Sequence, residues 1–73
     1  MRSGRVKEIT FTVKESSEGG YEARALGHSI FTHARTLDEL RMMVRDAVSC
    51  HFEVEEKPAV IRLRWVKDEV ISA

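Results

Sequence analysis

The sequence contains one cysteine, one proline and no excess charge of either sign. Because a single cysteine cannot form an internal disulfide, a disulfide-stabilised fold is excluded. Twelve basic side chains balance twelve acidic ones, so no overall field attracts the chain to nucleic acid or to a membrane surface. No apolar run approaches the roughly 20 residues that cross a bilayer, and the basic N-terminus lacks the apolar stretch of a signal peptide. We therefore expect a cytoplasmic protein.

The chain has 73 residues, of which 42% are hydrophobic and 33% are charged. Folding at this length buries only about 60% of the surface of the unfolded chain, although the composition is that of an ordinary globular domain. We expect a single domain over residues 1–73 without a separate DNA-binding domain. The thin core favours a homodimer or homotetramer, and Val70 and Ile71 of the tail are candidates for docking on a neighbouring molecule.

Alternating apolar and polar residues predict three strands in the first half of the chain. Residues 6–14 place apolar side chains on one face and threonines on the other: Ile9, Phe11 and Val13 against Thr10 and Thr12. Residues 15–20 contain no apolar side chain and end in two glycines, which predicts a hairpin turn. Residues 21–25 predict a second strand, whose small alanines leave room for a helix. Gly27 ends it, and residues 30–33 form a short third strand.

A capping box predicts the start of a helix, with the Thr36 hydroxyl at the N-cap and the Glu39 carboxylate at N3. Apolar residues then recur at helical spacing over about 15 residues. The stripe comprises Leu37, Leu40, Val44, Ala47 and Val48, followed by His51, with Met43 and Phe52 on its flanks. Pro58 and the acidic residues before it predict where the helix ends. A fourth strand follows, in which Ile61, Leu63 and Trp65 alternate with Arg62 and Arg64.

The order of these elements predicts an α+β fold, β-β-β-α-β, in which an antiparallel meander is joined by a fourth strand beside the first. The helix is expected on the face of Ile9, Phe11 and Val13, so the other face stays uncovered. We predict that this open face and the sheet edges contact a partner or a second copy. The candidate residues are Thr10, Thr12, Glu22, Arg24, Arg62 and Arg64. Met42, on the polar side of the helix, is a further candidate because its flexible thioether suits an interface.

The sequence lacks the residue patterns typical of catalytic or metal-binding sites. We therefore expect no catalytic residues, no metal and no cofactor. Cys50 and His51 point about 100° apart on a helix, His28 and His33 flank a short strand, and no Cys-x-x-Cys or His-x-x-x-His pair is present. We interpret His51 as the end of the apolar stripe and His28 as part of a solvated turn. A metal-dependent nuclease needs clustered carboxylates, whereas the middle of the first strand has two threonines.

The basic fourth strand raises the alternative of nucleic-acid binding, because Arg62, Arg64 and Lys67 surround Trp65. However, the alternation predicts that Trp65 is buried and that the cations are solvated. Glu22 on the same face is expected to neutralise part of their charge. With no net charge, direct nucleic-acid binding by this chain alone is not the favoured interpretation.

Several short stretches in this order resemble the HicB family, the antitoxins of type II toxin-antitoxin pairs in bacteria and archaea. They are Gly-Gly-Tyr-x-Ala-Arg at 19–24, Phe-Thr at 31–32, Thr-Leu-Asp-Glu-Leu at 36–40 and Val-Arg-Asp-Ala-Val at 44–48. The resemblance implies a reduced ribonuclease H-like fold. It also implies a non-enzymatic function, the neutralisation of a small HicA-like mRNA-cleaving toxin by protein contact.

The alternative within this resemblance is an orphan HicB-like regulatory or nucleic-acid-binding module. Many HicB proteins carry a C-terminal DNA-binding segment, which is not expected here. Relatives also often have a Pro-Gly-Cys-like turn where this chain has Leu-Gly-His-Ser at 26–29. The partner-contact residues are therefore not carried over from the family.

Overall fold

The computed structural model describes residues 7–67, 71 and 72, which form one four-stranded sheet and one long helix. The elements are β1 (Glu8–Glu15), β2 (Tyr21–Ala25), β3 (Phe31–Ala34), α1 (Leu37–His51), a 3-10 turn (Val54–Glu56) and β4 (Val60–Trp65). The predicted α+β order is confirmed. Val6, the predicted first residue of β1, lies outside the described residues. In the part of the chain that is described, no helix has the length and apolar character needed to span a membrane.

The strands lie in the order β3-β2-β1-β4, so the predicted pairing of the fourth strand with the first is confirmed. β2 is antiparallel to both β1 and β3, whereas β4 is parallel to β1. A parallel neighbour requires a crossover connection, and α1 provides it. The sheet is therefore mixed, with β3 at one edge and β4 at the other.

The turn between β1 and β2 forms where the two glycines predict it. Gly19 and Gly20 have φ of +93° and +86°, a region that side chains with a Cβ rarely adopt. The Ser16 N–H donates to the Gly20 carbonyl at 2.9 Å, and the Gly19 N–H donates to the Ser16 carbonyl at 3.1 Å. These bonds close the hairpin and fix the register of the two strands.

The capping box at the start of α1 is confirmed with one difference. The Glu39 N–H donates to the Thr36 hydroxyl oxygen at 3.1 Å, as a capping box requires. The Glu39 carboxylate accepts from the N–H of Arg35 at 3.0 Å, one residue before the N-cap. The helix ends at His51, and Phe52 then adopts extended backbone geometry.

The core lies between α1 and the sheet. Its buried side chains are Ile9, Phe11 and Val13 of β1, Ala23 and Ala25 of β2, Ile30, Ala34 of β3, and Leu40, Val44 and Val48 of α1. The backbone of the helix lies nearest to β3 and β2 and farther from β1 and β4. The two alanines of β2 thus lie beneath the helix, as their small size predicts.

The off-centre helix explains a wrong prediction. Trp65 was expected to be buried, yet 52% of its surface is exposed. It does lie on the helix side of the sheet, where its ring meets Tyr21 edge-on at 6.1 Å between centroids. However, no part of α1 extends over this end of β4, and Ile61 and Leu63 are only half-buried for the same reason. Of the predicted tail contacts, Ile71 is exposed and Val70 lies outside the described residues.

Candidate partner-binding surfaces

The face of the sheet away from α1, called here the open face, brings together six of the seven residues predicted from the sequence. Thr12 of β1 lies between Arg24 of β2 and Arg64 of β4, and Thr10 lies beside Arg62. Glu22 lies opposite Lys14. The three arginines are exposed, and the threonines and Glu22 are half-buried. The result is a row of polar side chains across three adjacent strands.

Phe31, which pairs with the predicted Arg24, is the part of the open face that sequence reasoning missed. The two residues are directly opposite each other in the β2–β3 register. The guanidinium carbon of Arg24 lies 5.1 Å from the centre of the Phe31 ring, a cation–π arrangement. Half of the Phe31 surface is exposed. The alternation of β3 could have revealed the pair. Because Thr32 is buried, its neighbour Phe31 must point to the open face, and the strand register then places it beside Arg24.

The neutralising carboxylate on the open face belongs to Glu8 rather than to Glu22. The Arg62 guanidinium donates two hydrogen bonds to the Glu8 carboxylate, through Nε and, at 3.5 Å, through Nη2. This hydrogen bond lowers the pKa of Glu8 below its ordinary value and raises the pKa of Arg62. Among residues 7–67, Glu22 makes no ion pair and Arg64 has no carboxylate partner. The cations of the face without an ion pair among these residues are therefore Lys14, Arg24 and Arg64.

Met42 does not belong to this face. Its side chain is exposed on α1, as predicted, with 66% of its surface accessible. Because α1 covers the opposite side of the sheet, one flat partner surface cannot contact Met42 and the open face together. The seven predicted residues thus define two separate surfaces.

A groove separates α1 from β4, because the helix lies over the other two strands. Its volume is about 600 Å³. The apolar part is formed by Val44, Ile61 and Leu63, and cationic side chains of Arg41, Arg45 and Lys57 contribute to the rim. The Arg41 guanidinium contacts the Asp38 carboxylate at 3.0 Å on the exposed surface of the helix. This groove, called here the β4 groove, is an apolar surface bordered by positive charge.

The histidines near the end of α1 form a packing cluster. The rings of His28 and His51 lie 5.8 Å apart and both meet Phe52 edge-on, at 5.1 and 4.9 Å. Thus His28 is exposed, as the solvated-turn interpretation requires, and also packs on the helix terminus. Cys50 is an exposed free thiol. Over the described ranges, no three His, Cys, Asp or Glu side chains are grouped so that they could hold a metal ion.

Comparison with known proteins identifies close relatives of this chain. No protein-family model and no solved structure matches it. A UPF0150 protein of Archaeoglobus fulgidus is 54% identical over 57 residues, which cover 78% of this chain and 85% of that protein. A UPF0150 protein of Thermotoga maritima is 46% identical over 66 residues, which cover 90% of this chain and 93% of that protein. With such identity over nearly the whole length of both relatives, the chain belongs to the UPF0150 family.

Proposed function

We propose that the chain is an antitoxin domain of the HicB type, which neutralises a small HicA-like mRNA-cleaving toxin in the cytoplasm by covering its active site. The observation that carries this proposal is the open face. Arg24, Phe31 and Arg64 point to solvent there, and α1 lies on the other side of the sheet. Arginine and aromatic side chains are enriched at the centres of protein interfaces, so this face suits a protein partner.

The side chains of the open face favour binding over catalysis. Metal-dependent nucleases clamp two metal ions with closely spaced carboxylates. The centre of β1 instead presents Thr10 and Thr12, and the Thr12 hydroxyl donates to the Arg24 carbonyl at 3.3 Å. The nearest carboxylate on β1, that of Glu8, is already bonded to Arg62. A likeness of fold to ribonuclease H would therefore not bring its chemistry.

We further propose that the chain functions as a homodimer or homotetramer. The core of so short a chain is thin, and apolar side chains outside β4, those of Leu26, Val54 and Ile71, are exposed. Apolar surface of this kind marks association sites when it is contiguous. Light scattering over a range of concentrations would show a constant dimer or tetramer mass, whereas a monomer at the highest concentration would contradict the proposal.

Co-expression with the product of a small neighbouring gene is the direct test of the antitoxin proposal. The chain should relieve the growth arrest that the toxin causes, and the two proteins should co-purify. The double variant Arg24→Ala, Phe31→Ala should lose at least tenfold in toxin affinity, since it removes both exposed side chains of the cation–π pair. Met42→Ala, on the other side of the molecule, is the matched control. No effect of the chain on any such neighbour would contradict the proposal.

A second candidate function is single-stranded nucleic-acid binding, which one feature of the open face favours. Arg24 lies against the exposed Phe31 ring, and Lys14 and Arg64 add positive charge to the same face; stacking aromatics among cations are the usual elements of such sites. Gel-shift titrations over a salt series separate the two functions. Phosphate contacts would give a steep loss of affinity as salt increases, whereas an antitoxin domain would show no shift at physiological salt.

A further inference from the structure

We propose that the outer edge of β4 binds an extended acidic segment of a partner protein, which adds a fifth strand to the sheet. In this segment carboxylates alternate with apolar side chains. The inference deepens the proposed function, on which it rests only for the identity of the partner.

The main chain of β4 provides the first argument. The Val60 N–H donates to the Lys7 carbonyl at 3.2 Å, and the Val66 N–H donates to the Val13 carbonyl at 2.8 Å. Even-numbered residues of β4 thus direct their main-chain groups towards β1. Because these directions alternate along a strand, Ile61, Leu63 and Trp65 direct theirs outwards. β4 is the last strand in the sheet, so this edge can pair with an added strand.

The same three residues provide the apolar surface. Their side chains lie on the helix side, where Ile61 and Leu63 are half-buried and Trp65 is exposed. An added strand would place every second side chain above the β4 groove, beside Ile61 and Leu63. Apolar side chains at those positions would remove this surface from water, which contributes about 25 cal/mol per Å² of apolar area. One extended segment would therefore both pair with the main chain of β4 and cover the apolar surface of the groove.

Charge identifies the other side chains of the segment. On the open side of β4 lie Arg62 and Arg64, and on the groove side lie Arg41, Arg45 and Lys57. Asp38 pairs with Arg41 on the groove side, and Glu8 pairs with Arg62 on the open side. Within residues 7–67, Arg45, Lys57 and Arg64 have no ion pair. Carboxylates of an added strand that point to the open side would lie beside Arg64, and those at its ends would lie near Lys57.

A second copy of the chain fits this edge less well. The symmetric antiparallel pairing centred on Leu63 would place Ile61 opposite Trp65 of the other copy, which is favourable. It would also place Arg62 opposite Arg64 of the other copy, and this contact would occur twice. Like charges directly opposite each other destabilise a strand pair. The charge on this edge thus favours an acidic segment of a different chain.

Amide exchange on the isotopically labelled protein tests the inference directly. The probe is a synthetic peptide of about ten residues, in which glutamate alternates with valine, and the control peptide carries lysine in place of glutamate. The glutamate peptide should slow exchange of the Ile61, Leu63 and Trp65 amides at least tenfold. The Val60 and Val66 amides, which are already bonded within the sheet, should change little. Equal binding of both peptides, or protection confined to another surface, would overturn the inference.

Two variants of Leu63 separate main-chain pairing from side-chain contact. Leu63→Pro removes an outward N–H, a change that an edge strand tolerates, whereas Leu63→Ala keeps the N–H and shortens the side chain. Peptide binding should be abolished in the first and only reduced in the second. If circular dichroism shows that Leu63→Pro is unfolded, Arg64→Glu serves instead and should weaken binding at least tenfold. Concentration-dependent protection of this edge without peptide would identify a second copy as the occupant and overturn the inference.

The toxin assay distinguishes this inference from the proposed function. If Arg64→Glu and Leu63→Pro lose the peptide but still neutralise and bind the toxin with unchanged affinity, the β4 edge is not the toxin's binding site and the inference is overturned. If the glutamate peptide binds the edge as expected and the chain neutralises no toxin, the inference stands and the proposed function is overturned.

Discussion

Gly20 lies so close to Ala34 that a Cβ atom on the glycine would come within 2.5 Å of the Ala34 carbonyl oxygen. The glycine also has φ of +86°, which costs an L-residue about 1–2 kcal/mol. Because the clash is with main chain, the β2–β3 pairing must shift to relieve it. We expect Gly20→Ala to lower the free energy of unfolding by about 3 kcal/mol or more, measured by urea denaturation.

Gly19 is the matched control for that prediction. Its φ is +93°, yet nothing lies within 4 Å of a Cβ built on it. Gly19→Ala should therefore show only the conformational cost, about 1–2 kcal/mol. An equal loss of stability in the two variants would mean that the contact with Ala34 does not matter.

Leu40 should contribute strongly to stability, because it is fully buried between α1 and the sheet. Leu40→Ala is expected to cost about 2–5 kcal/mol through lost burial and the cavity that remains. Met42→Ala, two residues along the same helix and exposed, should change stability by less than about 0.5 kcal/mol. Thermal and urea unfolding of both variants would measure the difference, and similar losses would contradict this placement of the core.

Thr36 should stabilise α1 through its hydroxyl group rather than through the size of its side chain. Thr36→Ala removes the acceptor for the Glu39 N–H, and loss of an N-cap costs about 0.5–2 kcal/mol. Thr36→Ser keeps the hydroxyl and should retain most of the stability. Far-ultraviolet circular dichroism during unfolding provides the measurement. If the serine and alanine variants were equally destabilised, the cap would not be the cause.

The Glu8–Arg62 ion pair should make a small contribution to stability that depends on pH. The bond to Arg62 lowers the pKa of Glu8 from its ordinary value of 4.5. The contribution is therefore present above that value and is lost as the pH falls through the lowered pKa. The difference in stability between the wild type and Glu8→Gln should therefore shrink as the pH falls below 4.5. It should also shrink in high salt, since the pair is exposed; a difference that grows on acidification would reverse the sign and contradict the assignment.

Local patterns predicted the elements and their pairing. The alternation of β1 places Ile9, Phe11 and Val13 in the core, and the Thr36–Glu39 spacing predicts the first turn of α1. These features depend on neighbours in the chain, whose geometry the backbone fixes. The connection lengths and the order of elements then suffice to place β4 beside β1.

The lateral position of α1 could not be predicted in the same way. Helical periodicity shows which side of α1 is apolar, but it does not show over which strands that side lies. For this reason Trp65 was predicted as buried and the β4 groove was missed. Likewise, the Glu8–Arg62 and Arg24–Phe31 pairs depend on strand register, which joins residues far apart in the sequence. Only the register shows that Glu8 and not Glu22 neutralises an arginine.

The parallel pairing of β4 with β1 has a consequence for how the chain folds. The residues that pair between these two strands are distant in sequence; Glu8 and Arg62, for example, are 54 residues apart. The β1–β2–β3 meander and α1, in contrast, form from segments that are close together in the sequence. Loop-closure entropy delays contacts of long sequence separation. We therefore expect β4 to dock after the other elements in refolding and to open first in native-state hydrogen exchange. Until β4 docks, the main-chain groups at this edge of β1 have no partner and its apolar side chains are less covered. The chain is therefore most prone to aggregation at this stage.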